Sequence, residues 1–107
     1  MEQSQTLKNR KELHDKLVSI CPNVYYQPPS NVKMTYPCIR YEVSQGQNWY
    51  ADNQKYHQWM DYQIMVISRD PDSDIPRNIL ELPYSHMENH YVAENLHHSV
   101  ITLTTKY

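Results

Sequence analysis

Proline cannot continue a helix ladder and cannot donate to an inner β-ladder, so seven prolines divide this chain before any other signal is read. They stand at 22, 28, 29, 37, 71, 76 and 83 and leave two long proline-free stretches, 38–70 and 84–107. Ahead of the first proline, Leu7, Leu13, Leu17, Val18, Ile20 and Cys21 recur at mixed three- and four-residue steps. That spacing predicts an amphipathic helix over Thr6 to Cys21, with Thr6 as N-cap and Pro22 and Asn23 as its end. Val24-Tyr25-Tyr26 has the composition of a short, optional strand. The following Gln27-Pro28-Pro29-Ser30-Asn31 lacks two successive amide donors, which confines that strand to an edge or loop and makes this stretch a rigid surface connector.

The long stretches alternate instead. Pro37 to Ser44 puts Cys38, Arg40, Glu42 and Ser44 on one face and Ile39, Tyr41 and Val43 on the other, a half-buried strand. His57 to Ser68 puts Met60, Tyr62, Ile64 and Val66 opposite Trp59, Asp61, Gln63, Met65 and Ile67, an antiparallel partner. Between them QGQNWYADNQKY holds the only glycine and several turn formers, and predicts a long hairpin connection. Polar composition and two aromatics, Trp49 and Tyr50, make Gln45 to Lys55 a loop expected to gain its contacts from a neighbour. Arg69 to Asp74 reads as a turn into a second helix, Ile75 to Leu82, with Ser73 or Asp74 as cap and Pro76 tolerated in the first turn. Tyr84 to Tyr91 and Ser99 to Lys106 read as two more strands. The expected class is α+β, one small domain, with an antiparallel sheet of about four strands and two helices packed on one face, in the order α-β-β-α-β-β. Tyr50-Ala51-Asp52-Asn53 and Val92-Ala93-Glu94-Asn95 echo each other between strands, as one turn chemistry used twice.

At 107 residues the chain is below the ~150 of an average domain, so a two-domain enzyme with an interdomain cleft is not expected. Ten Lys and Arg against 12 Asp and Glu give a net charge of −2 and a pI near 6.3. That balance gives no electrostatic footprint for gripping nucleic acid. Ten Tyr and two Trp with no Phe make the apolar mass aromatic with polar edges, suited to half-wet sheet faces and interfaces. A chain of this size buries only roughly 65% of its unfolded surface, so self-association would add needed stability. Cys21 and Cys38 are too few for a disulfide framework and are expected to be buried, unbridged thiols. The opening MEQSQTLKNRKELHDK lacks the apolar run of a signal peptide, and no stretch reaches the ~18 apolar residues of a membrane span. The product is therefore expected in the cytoplasm where it is made.

No catalytic constellation emerges. His86, His90, His97 and His98 with Glu88 and Glu94 invite a metal, but His86 and His90 stand four apart on a strand, not two apart with a third ligand across the sheet. Cys21, at a helix end, and Cys38, at a strand start, occupy places that hold small buried groups. Asp70, Asp72 and Asp74 mimic the start of a calcium loop, yet Pro71 and Pro76 interrupt them and the central glycine and distal glutamate are missing, so a capped turn is expected. One glycine excludes the familiar phosphate loops. Tyr25, Tyr26, Tyr36, Tyr41, Trp49, Tyr50, Tyr56, Trp59 and Tyr62 could stack bases, but only Lys33, Arg40 and Lys55 are interleaved with them.

Three segments carry a family likeness: Tyr36-Pro37-Cys38-Ile39-Arg40-Tyr41-Glu42, Tyr50-Ala51-Asp52-Asn53-Gln54-Lys55-Tyr56, and Tyr62 through Ser73. They resemble the tail terminator, or tail-completion, group of head–tail joining proteins of long-tailed phages and prophages. The likeness continues through Ile79-Leu80-Glu81-Leu82-Pro83 and Tyr91-Val92-Ala93-Glu94-Asn95-Leu96-His97-His98, with Glu94 where that group has Asp. It implies a virion assembly protein of the neck with no catalysis and no cofactor. Such a protein forms a ring, with a hexamer as the expected form, that ends tail-tube polymerisation and meets the head-closure complex. Its expected partners are copies of itself, the tail-tube protein and the head-closure protein. No membrane partner and no specific nucleic-acid binding are implied, although DNA passes through such a ring. The expected oligomer or partner interface is Trp49, Tyr50, Asp52, Asn53, Tyr56, Arg69 and Asp70. The competing readings are the neighbouring head-closure, or stopper, ring and a small cytoplasmic metal- or ligand-binding enzyme-like domain using the histidine-rich C-terminal half.

Overall fold

In a computed structural model, residues 10–51 and 54–106 are described, with side chains for 10–44 and 60–105. Thr6 and Leu7 therefore lie outside the described residues, as do Asp52 and Asn53. Leu13, Leu17 and Cys21, spaced by four, form the buried stripe of helix α1, Arg10–Ile20. Val18 departs from the expected stripe: it is exposed, because a step of one residue from Leu17 turns the side chain by about 100°, out of the stripe. Helix α2, Ile75–Leu80, is shorter than the expected Ile75–Leu82 and buries Ile79. Asp74 is its N-cap residue without a side-chain cap bond. Ser73 serves instead, its Oγ accepting the Ile75 amide at 3.3 Å.

Five strands form one sheet in the order β1-β2-β3-β5-β4. They are β1 Val24–Tyr26, β2 Cys38–Ala51, β3 Gln54–Ser68, β4 Ser85–Ala93 and β5 Leu96–Lys106. The optional early strand is real, so the sheet has five strands rather than four. It lies on an edge, parallel to β2 with Val24 against Ile39, where the Pro28-Pro29 that follows costs no inner ladder bond. The other pairings are antiparallel, and β5 inserts between β3 and β4. Four expected boundaries move outward: β4 runs to Ala93, β5 begins at Leu96, and β2 and β3 continue through the segment expected to be a loop. Gln45 pairs with Asp61, Trp49 with His57 and Ala51 with Gln54. Gln and Asn hid this strand, since the sequence there carries no hydrophobic alternation to mark it.

The β4–β5 turn is Glu94-Asn95, closing the Ala93–Leu96 pair with φ of 53° and 65°. Both central residues at positive φ match the right-handed twist of the strands, the geometry preferred for two-residue hairpins.

Both helices pack on the same sheet face. The core joins Leu13, Leu17, Cys21 and Ile79 to Ile39, Tyr41, Tyr62, Ile64, Val66, Ile101 and Leu103. The two alternating faces expected for 38–43 and 60–66 are the observed ones. Tyr41 is fully buried at the centre, with its ring 4.9 Å from that of Tyr26 and 6.0 Å from that of Tyr62. Its hydroxyl lies 2.7 Å from His14 Nδ1 and accepts from Arg10 Nη1 at 3.4 Å. Burial pushes the Tyr41 phenol above its ordinary value, and Arg10 works against that rise. Arg10 also lies 4.3 Å over the Tyr26 ring. One hydroxyl thus ties the first turns of α1 to β2. Replacing Tyr41→Phe keeps the volume and removes the tie, and is expected to lower stability by about 1 kcal/mol, read as a lower urea midpoint at constant slope.

Candidate interaction surface

The seven residues expected at an interface separate into two groups. Trp49, Tyr50 and Tyr56 belong to the distal part of the β2–β3 hairpin, and Asp52 and Asn53, at its tip, lie outside the described residues. Arg69 and Asp70 follow the other end of β3. Twelve residues of strand separate His57, the partner of Trp49, from Arg69, which at ~3.3 Å per residue is about 40 Å. The fold does not bring the two groups together.

The hairpin end is a two-stranded ribbon. Pairing of β5 with β3 stops at Lys106 opposite Trp59, and β1 covers β2 only from Ile39 to Tyr41. Among the described residues, 48–51 and 54–58 therefore pair only with each other. At its base the register shifts between Val43 and Gln45, and Ser44 Oγ donates to the Asp61 carbonyl at 3.1 Å. Such a bulge bends the strand and increases its twist. Thr104 donates to the Asp61 carboxylate at 2.6 Å, locking β5 to β3 where the ribbon leaves the sheet. A free-standing hairpin is marginal in water, and the four to five residues per strand here make roughly 13–16 Å of ribbon.

At the opposite end Arg69 and Asp70 border a shallow cavity of about 280 Å³ with Tyr36, Pro37, Ser68 and Ser73. The Arg69 guanidinium is 5.6 Å from the centre of the Tyr36 ring, and the Tyr36–Pro37 bond is cis. Asp70 is committed to the turn: its amide donates to Ser68 Oγ at 3.0 Å and its carboxylate accepts the Asp72 amide at 2.9 Å. Asp74 pairs with Arg77. The acidic run is thus a local hydrogen-bonded turn, as its prolines implied.

Sequence reasoning missed a third surface, the outer side of β4. Eight of its nine residues are exposed, Ser85 excepted. They include Met87, Tyr91 and Val92. The strand itself was legible, but its place at the sheet's edge was not. The histidines are dispersed along it: His86 pairs with Glu88, His90 faces His97 at 5.8 Å, and Tyr91 stacks on His98 at 4.7 Å and 5°. Hydrogen bonds from His86 first and Thr102 second hold the Glu88 carboxyl below its ordinary value. Among the described residues, no three His, Cys, Asp or Glu side chains converge as a ligand set, and no helix is long and apolar enough to cross a membrane. No protein-family model matches this chain, and no curated protein matches it at a significant level.

Cys21 and Cys38 are buried and unbridged, as expected. Burial pushes the Cys38 thiol from 9.0 up to about 11, with Cys21 adding to the rise and Arg40 opposing it. At pH 8 only about one Cys38 in a thousand is thiolate, too few for a nucleophile. Since the folded value lies above the unfolded one, this contribution to stability is complete below about pH 9 and is lost as pH climbs through about 11. Iodoacetamide at pH 8 should leave both thiols unlabelled in native protein and label both in urea. A two-hydrogen mass deficit without labelling would instead reveal a bridge.

Proposed function

We propose that this chain is a virion assembly protein of the tail terminator kind, forming a ring of six copies at the head-proximal end of a phage tail. In this role it is made in the host cytoplasm, ends tail-tube polymerisation and presents its other face to the head-closure protein. The observation that carries the reading is the paired ribbon 48–51 with 54–58, a projecting element that lacks a third strand among the described residues. Polymer ends are capped by parts that gain their contacts only on assembly, and a ribbon of this kind is such a part. The 40 Å between ribbon and the Arg69–Asp70 end also suits a ring subunit, which must meet different neighbours above and below. The family likeness of segments 36–42, 50–56 and 62–73 supports the same role. Catalysis has no part in it.

The test is a pair of ribbon substitutions, Trp49→Ala with Tyr50→Ala. Interface aromatics commonly account for about 2 kcal/mol or more each, and a closed ring repeats the loss at every joint. The purified variant is expected to stay folded, with a thermal midpoint close to wild type, while light scattering shows no ring. Complementation of a null phage should then fail, leaving filled heads beside unattached tails of abnormal length in electron micrographs. Normal virions from the expressed double variant would remove the ribbon from the interface.

A further inference from the structure

The sheet has two unlike edges. At one, β1 is three residues long and is followed by Pro28-Pro29. Beyond it the Gln27 amide donates to the Tyr41 carbonyl at 2.8 Å, and the Gln27 side-chain oxygen accepts the Val43 amide at 3.3 Å. That edge is closed. At the other, β4 runs nine residues without a lysine or proline, the residues that ordinarily block edge pairing. Its one bulge lies between Met87 and Asn89, so Asn89 to Ala93 is a straight, exposed segment. Tyr91 and Val92 are 39% and 56% exposed there. Alternation along an antiparallel ladder fixes which backbone groups face outward. Thr104, on the same side of β5 as His98 and Val100, donates to the Tyr84 carbonyl, towards β4. Asn89 and Tyr91 pair with Val100 and His98, so the N–H and C=O groups of His90 and Val92 point away from the sheet. The His90 amide accordingly bonds the Asn89 side-chain oxygen at 2.8 Å rather than β5.

We propose that the open edge of β4, from Asn89 to Ala93, takes the 54–58 strand of a second copy's ribbon as its next strand, so that every copy gives a ribbon and accepts one. This rests on the reading that the chain assembles with itself. Two incomplete elements of the same molecule then complete each other: a five-residue open edge and a five-residue ribbon strand needing a third strand. The β3 side of the ribbon is the one used, because Gln27 already covers the β2 edge next to the ribbon's base. The contact is head-to-tail, so repeated copies build a ring where the rotation closes and an open filament where it does not. Pairing of β4 with another β4 would stop at a dimer and leave the ribbon unpaired.

The experiment mixes two defective copies. His90→Pro, with Val92→Lys as a second edge variant, blocks the outward side of β4 while sparing its ladder to β5. A ribbonless variant replaces residues 48–58 by Asn-Gly between the paired Gln47 and Trp59. By native mass spectrometry and sedimentation, the wild type should form rings and each variant alone should be a monomer. Edge-blocked and ribbonless copies together should give a 1:1 complex and nothing larger, the one productive joint being ribbon to edge. Rings from both edge variants, or dimers of the ribbonless variant alone, would overturn this pairing while leaving self-assembly intact. A wild type that stays monomeric at every concentration would overturn the pairing and the ring together.

Discussion

Helices of 11 and 6 residues cannot cover strands of 14 and 15 residues. At 1.5 Å per helical residue and ~3.3 Å per strand residue, the helical layer offers about 16 and 9 Å against strands of roughly 50 Å. The buried core forms where the layers overlap, from Ile39 to Tyr41, Tyr62 to Val66 and Ile101 to Leu103. Wherever the sheet outruns the helices, it is left as a two-stranded ribbon at one end and an exposed β4 along one edge. The surfaces on which the functional reading depends are products of that mismatch in length.

Within the overlap, a core rich in tyrosine carries a condition that phenylalanine would not. Each buried hydroxyl needs a partner or costs the desolvation of a polar group. Tyr41 meets the condition through His14 and Arg10, which converts the requirement into a register signal for α1: only one placement of the helix brings both partners to that oxygen. The same aromatic choice leaves rings with polar tips near the surface, the composition expected where a face is wet in the free chain and covered in an assembly.

The arrangement also orders the functional reading. A ribbon at one end, a turn with Arg69 and Asp70 at the other and an open edge between them give a subunit three separate faces, and a ring between a tail tube and a head requires three. Here the histidines of the C-terminal half are spread along β4 and β5 in pairs with Glu88, with each other and with Tyr91.

Much of this was legible in the residues. Period-two alternation placed Ile39 and Tyr41, and Tyr62, Ile64 and Val66, on the core face because one side of those strands is buried and the other is not. Four-residue spacing did the same for Leu13, Leu17 and Cys21, and the prolines marked the element ends. The ribbon was not legible: Gln45 to Gln58 has no alternation, and its strand character comes from pairing across the hairpin. Nor was Val18, which is exposed although Leu17 beside it is buried. The grouping of Trp49, Tyr50 and Tyr56 with Arg69 and Asp70 followed familiar words in the chain, and the extended hairpin sets those words about 40 Å apart. Local periodicity alone determined which residues meet the core, because burial acts on each residue's side of its own element. Which strands are neighbours, which edge stays open and which segments outrun the helices were decided only in the tertiary structure, because β-pairing joins residues distant in sequence and leaves no periodic mark on either partner.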